Sequence, residues 1–299
     1  MKKFKMPRVI ERSYASAIDR LMQGLKRELS HVASPFFIAD IMRRLARSPT
    51  FIRACDQIAR SMATHLFRDG HKTWRAAAAE GSKGRIIRTA LQRELASPRV
   101  AKVYEGIISH NAELIRSMPL TLADRVAHKV AEGYEQGLRP EAMIDDILKE
   151  YPHITEAHAR LIARTETSKA STALTQVRAA EAGLDWYVWR TSEDSRVRSA
   201  HAHMDGVIIP WGEAPAPELL NHEKSQGNYH AGNIYNCRCY PEPLIRFDQV
   251  AWPAKVYRNG KIERMGIKQF KKLLQLHCAC YCLSLHRRHH RLQPTQPTR

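Results

Sequence analysis

The chain has 299 residues, enough for more than one domain-sized core, and its 43% hydrophobic and 26% charged residues exclude a globally disordered protein. A formal net charge of +18 makes a polyanionic partner the first expectation, with nucleic acid ahead of an acidic protein or lipid surface. No apolar run approaches the ~18 residues of a membrane span, and the basic start Met1-Lys-Lys-Phe-Lys lacks an apolar segment behind it, so synthesis and retention in a cytoplasm are expected, with cysteines as thiols or metal ligands.

Residues 1–11 read as a loose basic arm. Tyr14, Ile18, Leu21 and Leu25 then keep a helical spacing up to the break at Pro35. Ile38, Ile41, Met42 and Leu45 repeat it, as do Phe51, Cys55, Ile58, Met62 and Leu66, whose helix should end before Asp69-Gly70. Cys55 on this stripe reads as a small buried thiol. Short helices follow at Trp74–Ala79 and Ile86–Leu95, then a longer one from Val100 that Pro119 should stop. Thr121 is placed to cap a new helix with Leu122, Val126, Val130 and Tyr134 on its buried face, ending at Gly137. A short helix from Pro140 should close at Tyr151-Pro152, and a long one is predicted from Thr155 to Ala182.

After Gly183 the pattern changes. Asp185–Arg190 alternates and reads as a strand, Val207–Ile209 as a second after the turn signal Asp205-Gly206, and Cys237–Tyr240 as a third. A hairpin around Asn259-Gly260 and a short basic helix at Ile267–Leu276 come next. The last stretch, with Cys278, Cys280 and Cys282 alternating before His286-Arg-Arg-His-His-Arg291, has no periodicity and should be disordered. The expected class is α+β. A mostly helical docking or spacer region over 1–114 precedes a small domain over 115–247, in which a long helix packs on a short antiparallel sheet. Residues 248–299 form a basic, partly disordered C-terminal extension.

Chemistry concentrates between Trp186 and Pro241. Asp194 could cap a turn, and Arg196 and Arg198, two apart, would point the same way in extended chain, toward Glu166, Asp205 or a phosphate. His201, His203, Cys237 and Cys239 form the candidate metal set. Cys-x-Cys in a strand turns both sulfurs to one face, and one or two imidazoles would complete a tetrahedral zinc site. Without metal the same residues are two buried thiols and two polar histidines. Catalysis has less support. A cysteine nucleophile lacks an orienting partner, a zinc-activated water would need a base such as Glu193 or Glu223, and no phosphate-cradling loop or His-Glu-x2-His is present.

The ordered combination of Ile162-Ala-Arg-Thr-Glu-Thr, Gly183, Trp186-Tyr-Val-Trp-Arg-Thr-Ser-Glu-Asp-Ser-Arg-Val-Arg-Ser-Ala-His201, Met204-Asp-Gly206 and Asn236-Cys-Arg-Cys239 resembles the phage Mu F-like head morphogenesis domain, over about Ile115 to Pro243. The resemblance implies a non-enzymatic minor head protein of a tailed phage or prophage. Such a protein is incorporated near the portal vertex and affects DNA packaging or delivery. The implied partners are portal or capsid proteins and DNA held non-specifically by charge, with no membrane. The implied location is the host bacterial cytoplasm during assembly and then the virion head. Its signature positions here are Arg164, Thr165, Glu166, Trp189, Asp194, Arg196, Arg198, His201, Asp205, Gly206, Cys237, Arg238 and Cys239. No cofactor is implied, and a structural zinc on His201, Cys237 and Cys239 is the one candidate. Family members often carry Pro-Gly where this chain has His230-Ala-Gly232, and commonly end soon after the Cys-Arg-Cys motif. The alternatives are a zinc-dependent nucleic-acid-processing enzyme and a soluble DNA-binding module with no virion role.

Overall fold

The computed structural model describes residues 4–32, 34–80 and 83–275, apart from the Leu95 side chain; the cysteine- and histidine-rich tail singled out in the sequence lies outside the described residues. The N-terminal helices are α1 (Arg8–Leu29), α2 (Pro35–Ala46), α3 (Pro49–Glu80) and α4 (Gly84–Arg93), succeeded by two long ones, α5 (Pro98–Glu135) and α6 (Pro140–Glu181). The apolar stripes of all but α4 meet in one core. Tyr14, Ile18, Met22, Leu25 and Leu29 of α1, Ile38 and Met42 of α2, and Phe51, Cys55, Met62 and Leu66 of α3 pack with Ile115, Met118 and Leu122 of α5 and Ile162 and Leu174 of α6. Each such side chain contributes about 1.5–3 kcal/mol on burial. Cys55 is fully buried, as its stripe predicts, and burial pushes its thiol up to about 12. The basic arm is not loose at its end: Phe4 is buried and meets the Trp74 ring edge-on at 5.6 Å.

Three predicted helix ends are absent. The helix expected to stop before Asp69-Gly70 continues to Glu80, because the missing side chain at Gly70 makes room for the guanidinium of Arg178 from α6. Pro119 and Pro152 lie inside α5 and α6. A proline costs a helix interior ~3 kcal/mol, but here the flanking turns are buried on both sides: Met118 and Leu122 in α5, Tyr151 and Thr155 in α6. Thr121 accordingly caps nothing and donates its hydroxyl back to the Ser117 carbonyl. α5 also runs unbroken through residues 114 and 115, so one core spans the boundary expected there.

The remainder is built on β1 (Trp186–Thr191), α7 (Ser199–His203), β2 (Ile208–Pro210), α8 (Pro217–Leu220), β3 (Cys239–Pro243), β4 (Ala254–Arg258) and β5 (Lys261–Met265), with residues 267–275 helical. The five strands form one sheet in the order β3-β1-β2-β4-β5. The sheet is mixed rather than antiparallel throughout, because β2 pairs with β4 in parallel at Ile208↔Val256. β1 lies between β2 and β3, with Trp186↔Pro210 and Thr191↔Cys239 marking the registers. The hairpin around Asn259-Gly260 therefore belongs to the sheet and extends it beyond residue 247. Alternation along β1 sends Trp186 and Val188 to one face, against Phe270 of the last helical segment, and Tyr187 and Trp189 to the other. That second face carries the site.

Candidate metal centre

The row Thr165, Ser168 and Thr172 on α6 repeats at three and four residues, so the three side chains share one face. All are buried and all bond to the segment that leads into β3. Thr172 Oγ1 donates to the Ala231 carbonyl at 2.8 Å, and Ser168 Oγ to the Gly232 carbonyl at 2.9 Å. Thr165 Oγ1 accepts the backbone N–H of Asn236 at 3.0 Å. Arg164 adds a bond from Nη1 to Asn236 Oδ1 at 2.9 Å and pairs through Nε with Glu11 of α1 at 3.2 Å. The segment can lie this close because Gly232 has no side chain and adopts φ +85, and because Asn236 takes φ 53, a conformation asparagine tolerates.

This clamp places Cys237 and Cys239 against α7. The ligand atoms of His201, Cys237 and Cys239 all lie within 4.8 Å of one another, and the three residues are at most 1% exposed. His201 Nδ1 is 3.6 Å from Cys237 Sγ and 3.4 Å from Cys239 Sγ. Cys237 precedes the strand that Cys239 begins, so its sulfur arrives by a turn rather than by strand alternation, and the Cys239 N–H donates to it at 3.4 Å. Hydrogen bonding from Cys239 holds the Cys237 thiol below its usual value against its burial, while burial pushes Cys239 up.

Behind His201 stands a relay that the sequence did not disclose. His201 Nε2 is 2.9 Å from the Tyr229 hydroxyl, which donates its hydrogen to Glu218 Oε1 of α8. Having given that hydrogen away, the hydroxyl accepts from Nε2–H, and Nδ1 is left with its lone pair toward the sulfurs. Glu218 is 2% exposed, and its Oε2 is buried without a hydrogen-bond partner among the described residues. The Trp189 ring packs edge-on against the imidazole at 5.7 Å.

The remaining signature residues hold this frame. Asp194 caps its own turn by accepting the Arg196 N–H at 3.1 Å, and its other oxygen takes Arg238 Nη1 at 2.6 Å and Arg8 Nη2 at 3.2 Å. Asp205 Oδ1 accepts the Thr191 N–H at 2.8 Å, and Gly206, at φ +77, returns the chain to β1 through a 2.9 Å bond to the Trp189 carbonyl. Neither arginine of the Arg-Val-Arg motif meets Glu166 or Asp205, because the stretch is a turn and not extended. Arg196 is 3.9 Å from Asp194. Arg198 donates to the Tyr235 carbonyl at 3.1 Å and stacks on that ring at 4.7 Å. Glu166 is taken instead by His110 and Lys169, each at 3.0 Å. His203, Glu193 and Glu223 are exposed and outside the cluster. Sequence reasoning passed over Tyr229, Glu218 and Thr172. The spacing of Thr165, Ser168 and Thr172 in an alanine-rich helix carried a signal for the clamp; nothing local marks Glu218.

No described helix is long and apolar enough to cross a membrane. No solved structure matches the chain. An uncharacterized protein of Haemophilus influenzae is 32% identical over 173 residues, which make up 58% of this chain but 35% of that relative. The chain thus matches only about a third of the relative's length. Residues 124–241, which include the α6 clamp, β1, the Arg-Val-Arg turn and both cysteines, match the family described as Phage Mu protein F like protein. The centre built on His201, Cys237 and Cys239 therefore lies within the segment that matches the Phage Mu protein F like family.

Proposed function

We propose that the chain is a minor head protein of a phage or prophage. In this reading it takes part in head morphogenesis at the portal vertex, without catalysis, and contacts DNA as the head is filled or emptied. The observation that carries the proposal is the family match over residues 124–241. The net charge of +18 supports the DNA contact independently of the family. So does its distribution: α4 exposes Arg85, Arg88 and Arg93, and the first turns of α5 add exposed Arg99 and Lys102. Such a surface reads phosphate charge and no base sequence, so binding should weaken steeply with salt.

The test is occupancy of the particle. Heads purified from host cells producing the encoding phage are analysed by quantitative mass spectrometry, and the chain is expected at low copy with the portal protein. Its absence from heads overturns the proposal in favour of a soluble DNA-binding module. Metal-dependent cleavage of nucleic acid that disappears in His201→Ala overturns it in favour of an enzyme.

A further inference from the structure

We propose that His201, Cys237 and Cys239 bind one zinc ion that acts structurally, with Tyr229 and Glu218 as its outer shell. In a tetrahedral site with zinc–sulfur bonds of about 2.3 Å and zinc–nitrogen bonds of about 2.0–2.1 Å, each nitrogen–sulfur edge is about 3.6 Å. The two edges here are 3.4 and 3.6 Å, so the side chains already stand at ligand separation. Two thiols and one imidazole are a soft, mixed donor set that suits zinc over magnesium or calcium.

The surroundings supply a second, independent observation. A metal-bound histidine typically presents one nitrogen to the metal and gives its other N–H to a carboxylate, a backbone carbonyl or a water. His201 follows that pattern with a tyrosine hydroxyl standing between its N–H and the carboxylate. Nδ1 faces the sulfurs, Nε2 faces the Tyr229 hydroxyl at 2.9 Å, and Glu218 receives the Tyr229 hydrogen. A pair of buried thiols packed for their volume alone would need no buried carboxylate two bonds behind the imidazole, and burying that charge is unfavourable without a reason to orient the ring. The Cys239 N–H directed at Cys237 Sγ at 3.4 Å is a further acceptor role for a sulfur that carries charge as a ligand.

On binding, both thiols lose their protons to solvent, and two sulfur–zinc bonds and one nitrogen–zinc bond form. Among the described residues no other His, Cys, Asp or Glu joins the cluster, so these residues supply three of the four ligands of a tetrahedral ion. An open position serves catalysis where substrate reaches it; here the three ligands are at most 1% exposed. What the ion does is mechanical. It ties α7, which comes just after the Arg-Val-Arg turn, to the start of β3, and through Tyr229 and Glu218 it fixes the loop between β2 and β3.

The experiment uses the full chain purified without chelator, beside a full-length Cys278→Ser/Cys280→Ser/Cys282→Ser variant that removes the tail thiols. Zinc is measured by plasma mass spectrometry, and the chelated protein is titrated with cobalt(II). The tail variant is expected to keep about one zinc per chain. Cobalt(II) should give visible tetrahedral bands and a near-ultraviolet thiolate-to-cobalt band, both lost in Cys237→Ser and His201→Ala. Glu218→Gln should retain the site with an affinity ~10–100-fold weaker. A tail variant that holds no zinc and shows no thiolate-to-cobalt band overturns the site, without reference to whether any ligand variant folds. An unchanged affinity in Glu218→Gln overturns the outer-shell assignment. Neither result bears on presence in the head, which the particle analysis decides separately.

Discussion

Gly232→Ala is the sharpest perturbation of the frame that positions the two cysteines. Gly232 sits at φ +85, and a Cβ there would lie 2.5 Å from Thr172 Oγ1, 3.0 Å from Ser168 Oγ and 3.0 Å from the Cys239 carbonyl oxygen. The left-handed backbone costs an L-residue ~1–2 kcal/mol. Forcing a methyl into an occupied site costs a further ~1–3 kcal/mol. If the segment backs away instead, it gives up the bonds from Thr172 to the Ala231 carbonyl and from Ser168 to the Gly232 carbonyl, each worth a net ~0.5–1.5 kcal/mol. Either route gives a loss of about 2–5 kcal/mol, a large fraction of the ~5–15 kcal/mol that holds a typical domain. Urea unfolding followed by tryptophan fluorescence measures it, with Trp189 and Trp211 both packed on the affected side of the sheet. Adding Thr172→Ala removes the nearest clashing atom, so the double variant should lose at least ~1 kcal/mol less than the sum of the single losses. A Gly232→Ala loss below ~0.5 kcal/mol, or strictly additive losses, would refute the close approach of α6 to this segment.

Two further outcomes concern buried charge. Arg178 is 4% and Glu94 3% exposed; the guanidinium pairs with the carboxylate, donates to the Phe67 carbonyl at 2.9 Å and stacks on the Phe67 ring. Glu94→Ala strands a buried cation and should cost ~3–5 kcal/mol in urea unfolding, whereas Glu94→Leu/Arg178→Met should fall well short of that cost, because no charge is left uncompensated. His230 is buried, with Nδ1 3.2 Å from the Tyr187 hydroxyl, and burial pushes its pKa below the ordinary 6.5. The unfolded chain therefore takes up that proton first: the contribution to stability is complete above pH 6.5 and is lost as the pH falls toward the lower folded value. Unfolding free energies between pH 7.5 and 5.5 should decline more steeply for the natural chain than for His230→Gln, and equal slopes would count against the neutral, buried ring.

Local pattern was enough for much of this protein. The stripes of α1, α2 and α3 follow from apolar spacing, since a 3.6-residue repeat defines a face whatever it packs against. The alternation of β1 and the turn signals Asp205-Gly206 and Asn259-Gly260 are local as well, because they are set by side-chain direction and by backbone freedom at glycine. The residue types of the centre were also legible: two cysteines and a histidine carry metal chemistry wherever they meet. What the chain order could not supply was which distant groups fill the gaps. α3 passes Gly70 because an arginine from α6 occupies the space, and α5 and α6 pass Pro119 and Pro152 because both sides of each proline are buried. Asp194 takes its cations from Arg238 and Arg8, 44 and 186 residues away, and neither Arg196 nor Arg198 reaches the Glu166 or Asp205 that the sequence reading offered them. Tyr229 and Glu218 reach His201 only once the loop between β2 and β3 has folded over α7. Periodicity encodes the direction of a side chain relative to its own element; the partner it meets depends on how elements far apart in the chain are packed, and that the tertiary structure alone decided.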